Sequence, residues 1–267
     1  MTRIGLNGAT LPKRDLIAKI AAAAAAGFDL YEPRVPELLT YDTPSGRRDV
    51  EAAMSEAGLA WLPLNALEGV FSSVDGGAEA AAETVFPLAA RFGVTQVIAV
   101  PAPPDARLDR STAVAALARL VERAAGYSLT LLYELIGFPH HAFPSLESAA
   151  ALTRDAGIPM VLDTFHLAVS EASIDAIADL APDRIGLVHL SDAILGGGPV
   201  TAITDGDRVL PDEGDLPLEG LVAAIGRTGF DGPISVEVFH PKYADEDADR
   251  VAERALEEAR RLTATWG

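Results

Sequence analysis

The chain contains no cysteine. That excludes a disulfide framework, a thiolate zinc site and a cysteine nucleophile, and it fits a reducing, cytoplasmic setting. Basic residues are scarce: 21 Lys and Arg stand against 39 Asp and Glu, a formal net charge of -18. A field of that sign repels phosphate backbones and anionic lipid, so neither nucleic acid nor a membrane surface is expected as a partner. Cations and neutral small molecules are compatible with it. Long apolar runs are missing as well. The longest, IAAAAAAG at 20–27, is too short and too rich in alanine to span a bilayer. The opening MTRIGLNGATLPKRD lacks the apolar stretch of a signal peptide.

What is present is a chain of 267 residues, 49% of them hydrophobic. That suffices for a large core and makes disorder a poor reading. Short β-rich runs near 4–6, 30–32, 59–64, 97–100, 129–134, 160–163, 185–189 and 234–238 alternate with helical patterns. The helices fall near 12–26, 48–57, 77–92, 109–126, 145–156, 173–181, 217–228 and 244–264. Strict alternation implies right-handed βαβ crossovers and a parallel sheet. Eight units in this length predict an α/β fold, a single (β/α)8 TIM barrel spanning 1–267. Gly27, Gly58, Gly93, Gly126, Gly157 and Gly229 each fall just past a helix, where a left-handed cap is wanted. The rival, a doubly wound open sheet, would favour a glycine-rich phosphate loop after the first strand, and Asn7-Gly8-Ala9-Thr10 is not one. Two long loops, 68–76 and 193–217, are expected to cover a site.

In such a barrel the C-terminal tips of the strands converge on one mouth. Four consecutive strands end in chemistry: TLLYE at Glu134, MVLD at Asp163, IGLVH at His189 and ISVE at Glu237. One acidic residue at a strand end is most often a helix cap or an ion-pair partner, and one histidine after an apolar run is most often a bonded core residue. Four in a row converge by geometry. Three close carboxylates raise one another's pKa, and a divalent cation removes that penalty. The oxygen and nitrogen donor set suits one divalent ion, Mn, Mg, Co or Zn, with positions left for a substrate's oxygens.

Around these lie weaker candidates. His166, three residues past Asp163 in MVLDTFHLAV, can contact substrate or fix a ligand carboxylate. Arg208, inside the second long loop, can clamp substrate oxygens or merely pair with Asp205 or Asp215. Glu32, Arg34 and Asn65, with Asn7, end strands one to three and can line the mouth for substrate. Asp192 can orient its loop or cap a turn. His240 is a weaker candidate, and His140 and His141 are expected at the rim or in solvent.

These residues resemble the sugar isomerase/epimerase superfamily of xylose-isomerase-like barrels. The blocks ELIGFP, VLDTFH, VHLSD, DRVLPDEG and SVEVFHPKY occur in its order. The N-x-A-T start, E-x-R at 32–34, LNAL, TDGDRVLP and VEVFHPKY resemble most closely the bacterial 2-keto-myo-inositol (inosose) isomerase branch. Pro211-Asp212-Glu213-Gly214 stands where that family usually shows P-G-x-G, and Ala193-Ile194-Leu195-Gly196 replaces its polar residues. The resemblance therefore carries the ligand set further than the substrate. It implies Glu134, Asp163, His189 and Glu237 as metal ligands, Glu134 and Glu237 as the acid/base pair, and His166 and Arg208 as substrate contacts. The activity implied is isomerisation or epimerisation of a sugar or polyol ketone through a cis-enediolate. An inosose or 3-dehydroshikimate dehydratase, a ketohexose 3-epimerase or a C-glycoside-cleaving subunit would use the same scaffold. A DNA-repair endonuclease of the related barrels needs more histidine and a cationic face, and a catalytically silent sugar-binding protein would not need the intact ligand set. The sequence leaves assembly into a homo-oligomer open.

Overall fold

The structure, a computed structural model, describes residues 2–105 and 108–266. Nine parallel strands make one curled sheet. In chain order they are β1 (Ile4–Asn7), β2 (Leu30–Glu32), β3 (Ala60–Trp61), β4 (Leu64–Val70), β5 (Gln96–Pro101), β6 (Thr130–Glu134), β7 (Met160–Asp163), β8 (Ile185–Leu190) and, after a two-stranded excursion, β11 (Ile234–Val236). The excursion is an antiparallel hairpin of β9 (Asp192–Ala193) and β10 (Arg208–Val209). The sheet order β3-β2-β1-β11-β8-β7-β6-β5-β4 begins and ends on two pieces of one barrel position, because only two residues separate β3 from β4. The lower piece pairs with β2 and the upper with β5, and a bridge from Arg34 to Asn65 ties the upper piece to the β2 side. The sheet is thus the eight-position TIM barrel that strict alternation predicts.

Ten α-helices cover the barrel: α1 (Leu16–Ala26), α2 (Val35–Thr40), α3 (Pro44–Ala57), α4 (Gly77–Arg91), α5 (Arg110–Ala125), α6 (Leu146–Ala156), α7 (Thr164–Val169), α8 (Ile174–Ala178), α9 (Leu218–Arg227) and α10 (Ala248–Thr263). Among the described residues no helix is long and apolar enough to cross a membrane. Local chemistry sets their ends. Asp15 accepts from the Ala18 N–H at 2.9 Å and starts α1, later than the expected residue 12, and Gly27 ends it at φ 91°. Gly126 departs from the expected left-handed cap: it lies at φ -60°.

Three other expectations change. The third strand was expected to end at Leu64, with 68–76 as loop; β4 runs on to Val70, bulging twice against β5. Pairing with β5 overrides the loop-like composition of Asn65, Glu68 and Gly69. Helices α2 and α7 were not foreseen. Each is six residues long, too short for a helical period to register. Finally, β11 ends at Val236, although Glu237 still donates its N–H to the Leu190 carbonyl at 3.1 Å.

Strand residues alternate between the barrel interior and the helix layer. The interior therefore has two storeys. The lower one is apolar: Leu30, Leu62, Ile98, Leu132, Val161 and Leu187 form one buried cluster, one side chain from nearly every strand. Gly5 leaves the room they need, since a Cβ there would meet Leu62 Cδ1 and Leu30 Cβ. Two residues further along at six of the barrel positions, the upper storey is polar: Asn7, Glu32, Glu134, Asp163, His189 and Glu237. Leu132→Ala should cost about 2–5 kcal/mol, because the surrounding strands cannot collapse into the gap. A lowered denaturant midpoint with unchanged slope is the expected reading, and an unshifted midpoint would remove this storey from the core.

Candidate metal centre

Glu134 ends β6, Asp163 ends β7, His189 is late in β8, and Glu237 follows β11. All four are buried, and one donor atom from each lies within 4.8 Å of the others. His189 is the hub. Its Nδ1 is 3.1 Å from Glu134 Oε1, 3.3 Å from Glu237 Oε2 and 3.9 Å from Asp163 Oδ2. Its Nε2 faces the other way, 3.1 Å from both oxygens of Glu32. A hydrogen on Nε2 donated to Glu32 leaves Nδ1 with its lone pair toward the three carboxylates. That is the support a metal-binding imidazole needs.

Each carboxylate has one oxygen held by the protein or is held from behind. Glu237 Oε1 accepts from the amides of Asn7 at 3.0 Å and Asn65 at 2.8 Å, which leaves Oε2 to His189 and Arg208. Asp163 Oδ1 caps α7 through the Phe165 N–H at 2.7 Å, and Oδ2 takes Arg208 Nη1 at 2.5 Å. The cap role and the site role thus fall on different oxygens of one residue. Arg208 reaches in from β10, fully enclosed, with Nη1 also 3.1 Å from Glu237 and Nη2 2.9 Å from Asp205. Asp215, the other partner considered for it, instead accepts from the Leu195 N–H.

The charges follow from these distances. Burial pushes Glu237 up to about 8 and raises Glu134. Burial acts the same way on Asp163, but Arg208 and the two imidazoles outweigh it and its pKa is lowered. Burial would lower His189, yet Glu237 and Glu32 outweigh it and hold the imidazole well above its usual value. His166 is pushed down to about 3 by burial and by Arg208, so it is neutral. Three carboxylates and one imidazole with an anchored far nitrogen fit a divalent ion of the Mn, Mg, Co or Zn type.

A cavity of about 260 Å³ opens on this cluster. Of the expected substrate residues, His166, Arg208, Arg34 and Asn65 line it, together with Glu134 and Glu237. Glu32 does not. It is buried behind His189, bonded to the imidazole and to Asn65, so its expected place at the mouth becomes a place behind the cluster. His166 sits on α7 with Nε2 3.0 Å from Arg208 Nη2, and its Nδ1 is buried without a partner among the described residues. His141 is at the rim, as expected, with Nδ1 3.0 Å from the Pro101 carbonyl, and His140 is exposed. His240 caps its own turn, and Asp192 ties the ends of the second long loop through the Ala193, Gly214 and Leu216 N–H groups. Sequence reasoning missed Phe138, Phe239, Glu68 and Asp205 as wall residues. Both phenylalanines fall a few residues past a chemical strand tip, in GFP and VFH, and that position was the available signal.

The family profile of the xylose isomerase-like TIM barrel matches residues 20–263. The chain belongs to that family. Among the relatives of this xylose isomerase-like barrel is the 3-dehydroshikimate dehydratase of Pseudomonas aeruginosa, 32% identical over 90% of this chain. The chain spans only 38% of that protein's length. An inosose isomerase of Bacillus subtilis is 27% identical over 64% of this chain and 62% of its own length. The crystal structure of the IolI protein with a bound zinc atom superposes with a TM-score of 0.89 at 22% identity, covering 100% of this chain and 99% of that one.

Glu32→Gln should weaken divalent-ion binding roughly 10- to 100-fold, since the amide supports the imidazole less well. Binding should also release protons, because an ion displaces those that His189 and Glu237 otherwise hold. Apparent affinity should therefore rise with pH toward about 8. Zinc titrations against a competing chelator, and calorimetry in buffers of different ionisation heat, read both effects. PH-independent binding without proton release would contradict the assignment.

Proposed function

We propose that this barrel is a divalent-metal-dependent isomerase or epimerase of a polyol ketone of the inosose class, with Glu134 and Glu237 as the acid/base pair. One observation carries the reading. Of the four carboxylates that surround His189, Glu134 and Glu237 line the cavity, whereas Asp163 and Glu32 lie behind it. Two proton-transfer groups thus face the substrate space while two fixed charges support them. The zinc in the IolI crystal structure and the inosose isomerase relatives support it further.

Glu134, Asp163, His189 and Glu237 would hold the ion. When bound, it would act as a Lewis acid toward a ketone oxygen and the neighbouring hydroxyl, acidifying the C–H between them. One of the two wall glutamates removes that proton to give a cis-enediolate, and a glutamate returns it. Return to the neighbouring carbon moves the carbonyl; return to the same carbon from the other face inverts it. Asn7 and Asn65 hold Glu237 Oε1, so Oε2, beside His189 and Arg208, would move the proton from a fixed place. The neutral His166 presents its Nδ1 N–H to substrate oxygens, while Arg208, whose nitrogens are taken by Asp163, Glu237, Asp205 and His166, would hold those groups in place around the substrate.

A second reading is favoured by the 32% identity with the dehydratase. The same enediolate expels water when a hydroxyl stands at the β-carbon. His166 Nδ1, which carries the hydrogen if Nε2 accepts from Arg208, would hydrogen-bond that leaving hydroxyl, and the glutamate that took the C–H proton would hand it on to complete the water.

Glu134→Gln and Glu237→Gln should each lower turnover on the order of 10²- to 10⁴-fold. Asp163→Asn should lose the ion, and His166→Ala should keep it while losing turnover or affinity. Metal content measured beside rates separates these outcomes. Product mass and ultraviolet absorbance separate an isomer from a dehydrated enone. Full metal-free activity of the glutamate variants on inososes and ketohexoses would sink the proposal.

A further inference from the structure

Two guanidiniums stand on the cavity wall, both against the Phe239 ring. Arg34 Cζ is 5.3 Å from the ring centre and Arg208 Cζ is 5.2 Å from it. Their situations differ. Arg208 is saturated by Asp163, Glu237, Asp205 and His166. Arg34 has no carboxylate within ion-pair distance and no side-chain hydrogen bond among the described residues. Its Nε is buried and unpartnered.

The residue is nevertheless firmly placed. Its N–H donates to Glu37 Oε2 at 2.9 Å, and Glu37 Oε1 in turn takes Lys19 Nζ at 2.6 Å. Lys19 also donates to the Gly8 carbonyl at 2.6 Å, which joins the loops after β1 and β2. The Lys19–Glu37 pair is nearly enclosed, with side chains 9% and 12% exposed. A buried pair of this kind holds one geometry and braces the backbone at Arg34. The molecule thus fixes a cation at the edge of the substrate space, and among the described residues no carboxylate pairs with it.

We propose that Arg34 receives a carboxylate of the substrate, so that the ketone enolised here is an anionic hydroxy-keto acid. The inference rests on the enolisation reading above, keeps its chemistry and moves its substrate from a neutral inosose to a hydroxy-keto acid. A sugar hydroxyl would satisfy one N–H and leave the charge uncompensated. A carboxylate takes two parallel N–H bonds and cancels the charge. Arg208 cannot serve that end, because its donors already bind carboxylates of the protein. With Arg34 holding the acid group, the rest of the molecule extends past Phe239 toward Glu134 and Glu237, which line the same cavity.

The test uses the metal-loaded protein and two ring ketones, 3-dehydroshikimate, which carries a carboxylate, and 2-keto-myo-inositol, which does not. Calorimetric or NMR titration should show the acid bound more tightly by on the order of 10-fold or more. The methyl ester of 3-dehydroshikimate should lose that preference in the unaltered protein. Arg34→Met should bring the ratio of the two affinities toward one, and Arg34→Lys should keep part of it. Equal affinities in the unaltered protein, no binding of either ketone, an ester that binds as well as the acid, or a ratio unchanged by Arg34→Met would each overturn the assignment. Turnover separates the two claims. Carboxylate preference through Arg34 without product from either ketone removes the enolisation reading alone. Turnover of the inosose without any preference for the acid removes the Arg34 assignment alone.

Discussion

The structure turns on one crowded arrangement: a single imidazole with carboxylates on both of its nitrogens, inside a protein and away from water. Buried charges are tolerated only when paired and hydrogen-bonded. Four carboxylates around His189 exceed what one imidazolium can balance. The remainder explains much of the surrounding architecture. Arg208 is carried into the barrel on β10, and the hairpin with β9 and the Asp192 anchors at 214 and 216 hold the loop that delivers it. Asn7 and Asn65 supply neutral donors from the strands where no cation fits. The raised pKa values of Glu237 and Glu134 show where balance is still lacking, and on the proposed reading a dication would supply it.

This arrangement is possible because a strand alternates its sides. Leu132 and Glu134 share the interior face of β6, as Val161 and Asp163 do on β7 and Leu187 and His189 on β8. The apolar storey below excludes water and fixes where each strand stands. The polar storey above then inherits those positions. Large side chains at 30 and 62 fill the barrel because Gly5 stays small, joining those at 98, 132 and 187. Precision in the ligand cluster is therefore set largely by hydrocarbon packing one layer beneath it.

The parts legible in the sequence are those that periodicity carries. Strand tips preceded by apolar runs announced Glu134, Asp163, His189 and Glu237, because register in a parallel barrel places equivalent tips together. Local signals failed where tertiary pairing decides. The extension of β4 through Glu68 and Gly69 depends on β5, and the six-residue helices α2 and α7 leave too little pattern to read. Glu32 shows a subtler limit. A carboxylate at a strand tip reads alike whether it faces the cavity or stands behind a ligand. Only the direction of the His189 ring distinguishes the two. Likewise nothing in the sequence says that Arg208 finds four polar side-chain partners and Arg34, among the described residues, none.

That last contrast separates the chemistry of the barrel from its choice of substrate. The groups that would move a proton are bound into the polar storey, each braced by at least one neighbour, and altering one disturbs the charge balance of all. The wall groups Arg34, Phe138, Phe239 and His141 touch that network through ring packing but donate no side-chain hydrogen bond into it among the described residues. Relatives called dehydratase and isomerase on one scaffold fit this division. Abstraction of a proton beside a ketone is common to both outcomes. Which bond reforms depends on how the wall orients the substrate's other groups over the same glutamates. A fixed, unpaired guanidinium is a strong orienting element on such a wall, because it acts through charge and a planar pair of donors at once.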